Sequence, residues 1–145
     1  MEKFTKKITD RDFIGKLIPQ KGPFVMVDKL LHFEDKKVVA GLTISEENIL
    51  TDNGKFSAPG LIEHMAQAVA LYTGYRSYLK EVKVPTGYIG AIKKAEIFAL
   101  PSVGNELTTT VNILHDIMGV TLIVAETICN GEIVASSEMK TVLVK

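Results

Sequence analysis

Apolar side chains follow helical spacing in some parts of the chain and strand-like alternation in others. Near the N-terminus they recur at helical spacing before Pro19, and either Thr9 or Asp10 can cap the N–H groups at the start of this segment. A proline disfavours the helical conformation in the residue before it. The pattern therefore predicts a short amphipathic helix over residues 10–17.

The segments after this helix have the character of strands. An apolar run over 24–32 and a polar turn lead into a second apolar segment, 37–44, which predicts a hairpin. The polar stretch 45–56 is expected to be a loop. Beyond Pro85, four further segments are typical of strands in an antiparallel meander: 86–100, 105–116, 120–130 and 132–144. The last two are joined by Asn130-Gly131, a pair that favours a type I′ hairpin turn.

One segment, 57–79, is apolar on almost every side of a helical projection. A helix of this kind is buried, and Pro59 fits its first turn, where the missing N–H costs little. A buried helix among strands predicts one antiparallel sheet wrapped around it. We therefore expect an α+β protein that forms a single domain over residues 1–145. The hot-dog fold fits the order of elements better than the alternative, an open α+β sandwich. The edge strands of the wrapped sheet would be open to pairing with a second protomer.

Composition and charge disfavour several classes of function. The 145 residues carry 17 Lys+Arg and 17 Asp+Glu, so the net charge is zero. Nucleic-acid binding is disfavoured because it depends on phosphate neutralisation. The single cysteine, Cys129, excludes a disulfide framework and is expected to be a small core residue. The sequence has neither a signal peptide nor an apolar run long enough for a membrane span, so we expect a cytoplasmic protein. No metal or nucleotide motif occurs, and no cofactor is expected.

The polar residues of the buried helix are the first candidates for chemistry. Glu63 and Gln67 are four residues apart and share one face, whereas His64 is turned about 100° away. A buried carboxyl group can act as a general acid. The alternative is that Glu63 caps N–H groups or pairs with a lysine at an interface. Gln67 is interpreted as the structural partner of Glu63, and His64 as a packed, hydrogen-bonded residue.

A second candidate region is the elbow at residues 18–28, between the first helix and the first strand. Prolines and a glycine around Gln20 predict a rigid connection. From the residues alone, the elbow is only a connection between two elements.

Together, the two regions resemble the FabZ-like 3-hydroxyacyl-acyl-carrier-protein dehydratases, which have the hot-dog fold. The elbow of that family reads Leu-Pro-His-Arg-x-Pro, before an apolar strand that ends in Val-Asp. Its central helix carries Glu-Ala-Met-Ala-Gln, which is similar to residues 63–67 here. Residues 101–107 resemble the Pro-x-x-Gly-Asp-x-Leu turn of the family. The continuation of the helix is similar to a small branch associated with polyene pigments.

The resemblance implies a homodimer, or a heterodimer with another hot-dog protein, that binds acyl-ACP or acyl-CoA in tunnels lined by both subunits. It implies a catalytic pair made of Glu63 on the helix and the elbow residue of the other subunit. The elbow residue here is Gln20, and an amide cannot take up a proton at physiological pH. Backbone N–H groups at the helix start would polarise the thioester carbonyl. The implied substrate-binding residues are Gly60, His64, Gln67, Phe24 and Pro23.

Acyl carrier proteins are acidic, so basic residues are expected around the mouth of such a tunnel. The candidates are Lys21, Arg76, Lys93 and Lys94. The alternative is that all four are ordinary surface residues.

Three functions stay open. The first is a dehydratase in which another group, such as His64, replaces the elbow histidine. The second is a non-catalytic subunit of a heterodimeric dehydratase. The third is a thioesterase in which Glu63 attacks the thioester or activates water that Gln20 positions.

Overall fold

The structure is a computed structural model and describes residues 4–144. Two α-helices lie within this range: α1, Arg11–Leu17, and α2, Ala58–Leu79. Asp10 caps α1, because its side chain accepts hydrogen bonds from the N–H groups of Asp12 and Phe13 at 2.9 and 3.3 Å. Ser57 caps α2 in the same way. Both helices agree with the predicted ones to within about one residue.

A six-stranded antiparallel sheet wraps around α2. A separate hairpin, made of two strands of two residues each, lies in the preceding loop. The strands are β1 Lys29–Glu34, β2 Lys37–Thr43, β3 Thr51–Asp52, β4 Lys55–Phe56, β5 Thr86–Ile97, β6 Glu106–Ile117, β7 Val120–Cys129 and β8 Glu132–Val144. Their order in the large sheet is β1-β2-β6-β7-β8-β5. The predicted hot-dog architecture is confirmed.

The position of β5 differs from the meander predicted from the sequence. A four-strand meander would place β5 beside β6, but β5 pairs with β8, with Thr86 opposite Val144 and Ile97 opposite Ala135. The neighbour of β6 is instead β2. Strand β5 is therefore an edge strand, and it is mostly exposed along its length.

The first predicted strand also begins later than expected. Residues 24–28 lie outside β1, and Gly22–Phe24 form a 3₁₀ turn. Gly22 has φ +58°, a left-handed conformation that suits glycine and turns the chain here. The loop predicted over 45–56 contains the small β3–β4 hairpin, with Asn53 and Gly54 at its tip.

The β7–β8 turn has the predicted geometry. Asn130 and Gly131 both have positive φ, 53° and 79°, as a type I′ turn requires. Met118 and Gly119 form the β6–β7 turn with a similar pair of values, 54° and 80°.

The core lies between α2 and the concave face of the sheet. It includes Leu61, Met65 and Leu71 of the helix, all at 0% exposure. Cys129 is buried, as predicted, and burial raises the pKa of its thiol. No helix among residues 4–144 is long and apolar enough to cross a membrane.

Candidate functional site

A cavity of about 250 Å³ lies against one face of α2. The helix contributes Glu63, Ala66, Ala70 and Thr73, which share a face because they recur at helical spacing. The elbow contributes Gln20 to the same wall. The opposite wall is formed by Pro85 and the sheet, where Gly87, Tyr88, Ile89, Thr141 and Leu143 line the space. The cavity is therefore mostly apolar, with a carboxyl group and an amide at one side.

Glu63 is a half-buried residue in the second turn of α2. Its Oε2 atom accepts a hydrogen bond of 2.7 Å from Nε2 of Gln67, one turn further along the helix. Within residues 4–144, its Oε1 atom has no hydrogen-bond partner. The carboxyl group is therefore oriented through one oxygen, and the other oxygen is free to contact a ligand.

Gln67 connects Glu63 to the elbow. Its side chain is fully buried and makes three hydrogen bonds. Nε2 donates to Glu63 and, over 2.8 Å, to the carbonyl oxygen of Phe24, while Oε1 accepts from the Met26 N–H at 2.6 Å. These bonds use both amide hydrogens and the amide oxygen. Gln67 is thus the structural partner of Glu63, as the helix spacing suggested, and it also holds the elbow against α2.

His64 is fully buried on a different face of the helix. Its Nδ1 lies 2.7 Å from the Met26 carbonyl oxygen, and its Nε2 lies 2.8 Å from Oγ1 of Thr109. Burial is the largest effect on the imidazole and lowers its pKa from 6.5 to about 4, so the ring is neutral at physiological pH. A carbonyl oxygen can only accept, so Nδ1 carries the hydrogen and Nε2 accepts from Thr109.

The hydrogen-bond chain continues into the sheet. Thr109 Oγ1 lies 2.6 Å from Oγ1 of Thr127 on the neighbouring strand. Since Thr109 donates its own hydrogen to His64, Thr127 is the donor to Thr109. The chain therefore runs from β7 through β6 to α2 and ends on the elbow at Met26.

Two of the predicted substrate-binding residues have their polar atoms bonded inside the protein. His64 uses both ring nitrogens and is not among the residues that line the cavity. Gln67 makes three hydrogen bonds that hold Glu63 and the elbow. Their roles at a substrate stay predictions.

Gly60 has a packing role. A Cβ atom at this position would lie 2.7 Å from the ring of Phe56, so glycine is needed for close packing. The Gly60 N–H donates to Oγ of Ser57 at 3.2 Å, and the Leu61 N–H donates to the Ser57 carbonyl oxygen at 3.0 Å. Both N–H groups therefore have partners within the chain, and the carbonyl-binding role of the helix start stays a prediction.

Pro23 and Phe24 lie in the exposed 3₁₀ turn and do not line the cavity. Pro23 borders a separate groove beside Arg11 and Asn48, and the Phe24 ring is 62% exposed. Only the Phe24 backbone contributes to the site, through its bond from Gln67. Their prediction as substrate-binding side chains is not supported by this placement.

Gln20 shares the cavity with Glu63 of the same chain. Its Oε1 atom is buried and has no hydrogen-bond partner within residues 4–144. The neighbouring Lys21 fixes the elbow, because its Nζ atom donates to the carbonyl oxygens of Gly15 and Ile18 at the end of α1. One chain therefore brings together the two residues that were expected to meet across a subunit interface.

The four candidate rim cations have different environments. Lys21 is bonded to α1, and Arg76 pairs with Asp116 at 2.6 Å. Lys94 lies on exposed β5 and pairs with Glu96 at 3.1 Å, and Lys93 is also exposed there. Three of the four thus have a bonded partner within the chain, and a role in binding a carrier protein stays a prediction.

The sequence analysis missed the sheet residues of the cavity, including Tyr88 and Thr141. They meet α2 only through the tertiary fold, and nothing in their own segments marks them. The small side chains of Ala66 and Ala70, spaced one turn apart, were the available indication that this helix face leaves room. No group of three or more His, Cys, Asp or Glu residues that could hold a metal occurs in the described part of the chain.

The fold and the cavity define the class: a hot-dog protein with a carboxyl group on the central helix. Residues 13–144 match the model of the ApeP-like family, described as ApeP dehydratase. The chain is 31% identical over 146 residues to the 3-hydroxyacyl-[acyl-carrier-protein] dehydratase FabZ of Aliivibrio fischeri, covering 96% of this chain and 94% of the relative. The FabZ of Clostridium botulinum is 32% identical over 150 residues, with 97% and 99% covered.

Among solved structures, the dehydratase heterocomplex ApeI:P from Xenorhabdus doucetiae has a similar fold, with a TM-score of 0.85. Its sequence is 18% identical to this one, and 91% of each chain is covered. The protein belongs to the ApeP-like dehydratase family, within the wider FabZ-like group of hot-dog proteins.

Proposed function

We propose that this protein is one subunit of a heterodimeric, cytoplasmic dehydratase that acts on 3-hydroxyacyl groups carried by acyl carrier protein. The names of its relatives support the reaction and the carrier. The observation that carries the proposal is the oriented Glu63 carboxyl group in a mostly apolar cavity, with one oxygen free. Acyl-CoA is the alternative carrier.

The reaction requires two groups at the substrate. A base removes a proton from C2, the C3–O bond breaks, and an acid gives its proton to the departing hydroxyl so that water leaves. In this proposal Glu63 is the acid. The expelled water and the new C2–C3 double bond balance the loss of one hydrogen from C2 and the hydroxyl from C3.

The second group, the base that removes the C2 proton, is not supplied by the cavity residues of this chain. Among the described residues that line the cavity there is no histidine, and the amide of Gln20 cannot take up the C2 proton. His64, the nearest imidazole in the sequence, is held on another face of α2. We propose that a different hot-dog subunit supplies the missing base, since a second copy of this chain would bring another Gln20 and another Glu63.

The edge strand β5 is the proposed contact with that subunit. It has twelve residues and no neighbour on its outer side among residues 4–144, and Tyr88 is 62% exposed and Ile92 44% exposed along it. An apolar open edge of this length favours pairing with another strand. Residues 87–89 also line the cavity, so a partner strand here would lie beside the site.

The proposal is tested by reconstitution. This chain, a hot-dog protein encoded beside it, and their mixture are each incubated with 3-hydroxyacyl-ACP and 3-hydroxyacyl-CoA, and loss of water is measured by mass spectrometry. We expect the mixture alone to give the enoyl product, and the two chains to co-elute on size exclusion. Full activity of this chain by itself would contradict the need for a partner.

A thioesterase is the second candidate, because Gln20 and Glu63 line one cavity within a single chain. Glu63 could activate a water molecule that Gln20 positions, and this chemistry needs no imidazole. Release of free thiol from acyl-ACP or acyl-CoA, lost in Glu63→Gln, would favour this function. If no thiol is released across a panel of acyl lengths, the thioesterase hypothesis is rejected.

A further inference from the structure

The amide of Gln20 differs from every other buried polar side chain that surrounds the elbow. Gln67 and His64 use their polar side-chain atoms fully in hydrogen bonds. Oε1 of Gln20 is buried and is the only buried side-chain nitrogen or oxygen without a partner in residues 4–144. Folded proteins rarely leave such an atom unpaired, because its lost hydration is not replaced.

Gln20 lines the same cavity as Glu63, and its unpaired oxygen is itself shielded from solvent, so a ligand in the cavity reaches that oxygen once the side-chain amide rotates toward it. We propose that Oε1 of Gln20 accepts a hydrogen bond from the 3-hydroxyl group of the substrate and thereby selects 3-hydroxyacyl chains over unsubstituted ones. This inference rests on the proposed function, and it adds the residue that recognises the substituent at C3.

The chemistry of the substrate limits what can satisfy this atom. The thioester carbonyl and the acyl chain carry no hydrogen-bond donor, whereas the 3-hydroxyl carries one. During elimination that hydroxyl receives a proton from Glu63 on its oxygen, so its own hydrogen must point to another acceptor. Gln20 supplies an acceptor on the same cavity wall.

The environment makes the hydrogen bond selective. The rest of the wall near the helix consists largely of apolar or small side chains, such as Ala66, Val69 and Ala70. An unsubstituted acyl chain would leave this oxygen unpaired. Sites built around a substrate hydroxyl reject analogues that lack it, by factors that reach ~10⁴ in the most selective cases. For one neutral hydrogen bond we expect a preference of about tenfold.

The experiment compares a hydroxylated probe and an unsubstituted probe, the 3-hydroxyoctanoyl and octanoyl derivatives of pantetheine in which a methylene group replaces the thioester sulfur. Both probes are unreactive, and neither gains a hydrogen-bond donor beside the carbonyl. Their dissociation constants are measured by calorimetry with the reconstituted complex of this chain and its partner subunit. The wild type is expected to bind the hydroxylated probe about tenfold more tightly. A hydroxyl without a partner would weaken binding to an apolar cavity, so the sign of the preference is informative.

Gln20→Met keeps a similar length and removes both hydrogen-bonding atoms. Gln20→Met is expected to reduce the preference for the hydroxylated probe to less than about threefold. It is also expected to bind the unsubstituted probe as well as the wild type does, or better. Thr73→Val is the matched control, since it removes a different polar group from the same cavity and should retain the preference. If Gln20→Met does not fold, Gln20→Leu is the second apolar variant.

The outcomes separate the two proposals. Equal binding of both probes to the wild type, or an unchanged preference in the Gln20 variant, overturns the role of Gln20 and leaves the proposed function standing. If neither probe binds, the proposed function itself fails, and the role of Gln20 fails with it.

Discussion

Glu63 and His64 are neighbours in one helix, and their surroundings are opposite. Both ring nitrogens of His64 are bonded to protein atoms and the ring is fully buried. Glu63 is half-buried, held through one oxygen, and leaves the other facing a cavity. A rotation of about 100° along the helix therefore separates a polar group that stabilises the fold from one that is available for chemistry.

Glu63 and His64 differ in how many of their polar side-chain atoms have hydrogen-bond partners, and the residue with an unpaired atom is the one that lines the candidate site. His64 has no ring nitrogen left to bond a substrate, since each already has a partner in the protein. Glu63 and Gln20 both line the cavity, and each keeps a side-chain oxygen without a hydrogen-bond partner in residues 4–144. The other member of the arrangement, Gln67, is bonded to both sides and links the two regions.

The largest expected effect is on the reaction and comes from Glu63→Gln. The substituted amide cannot donate a proton in the way the carboxylic acid does, so dehydration by the reconstituted complex should fall about 10²- to 10⁴-fold. The new amide oxygen can still accept from Gln67, so the free energy of unfolding should change by less than about 1 kcal/mol. Steady-state kinetics and urea unfolding measure the two quantities.

His64→Ala is the control for this variant, and it should show the opposite behaviour. It removes a buried ring and leaves the Met26 carbonyl and Thr109 without their partner, so stability should fall by about 3 kcal/mol. If Glu63→Gln destabilises the fold as strongly as His64→Ala, the separation between the two regions is wrong.

The next effect tests the link between the regions through Gln67→Leu. Leucine keeps much of the volume and leaves the buried Met26 N–H and the Phe24 carbonyl oxygen unpaired, so unfolding should become easier by about 3 kcal/mol. Glu63 also loses its orienting bond, so turnover should fall by about tenfold or more. Urea unfolding and kinetics on the complex measure both.

Gln20→Leu is the matched control, because it makes the same chemical change at an amide without hydrogen bonds. Its free energy of unfolding should stay the same or rise. A large loss of stability in Gln20→Leu would mean that the oxygen has a partner in the folded protein.

A smaller effect is a dependence of stability on pH that comes from His64. Its pKa is lowered by burial from 6.5 to about 4, so the unfolded chain binds a proton between these values and the folded protein does not. The stabilisation is fully present above pH 6.5 and is lost as the pH falls toward 4. Urea unfolding at pH 7.5 and pH 5 should differ by about 2 kcal/mol from this group.

That difference should disappear in His64→Ala, which has no imidazole to titrate. The same drop in both proteins would assign the pH dependence to other groups and contradict the lowered pKa of His64.

Much of the fold could be predicted from local patterns. The apolar stretch after Ser57 predicted the central helix, and the pair Asn130-Gly131 predicted the last hairpin. The place of β5 beside β8 could not be predicted, because strand-like alternation does not say which strand is the neighbour. Residues 24–26 looked like a strand but bond to the side chains of Gln67 and His64, which only the tertiary structure brings to them.

The candidate site, like the fold, could be predicted from the sequence only in part. The helix spacing related Glu63 to Gln67, and the resemblance to dehydratases drew attention to Gln20. Neither could show that His64 is sealed by Thr109 and Thr127, because those residues come from strands far along the chain. The walls contributed by Tyr88 and Thr141 depend on the same long-range packing.

The smallest effect expected is at the far end of the hydrogen-bond chain, in Thr127→Val. This change removes the hydroxyl that donates to Thr109 and keeps the branched shape of the side chain. His64 keeps both of its own bonds, so stability should fall by only about 1 kcal/mol, and turnover should stay within about twofold of wild type. Thr109→Val, which leaves Nε2 of His64 without a donor, should cost more. A larger loss of stability in Thr127→Val than in Thr109→Val would contradict the central place of Thr109 in this chain of hydrogen bonds.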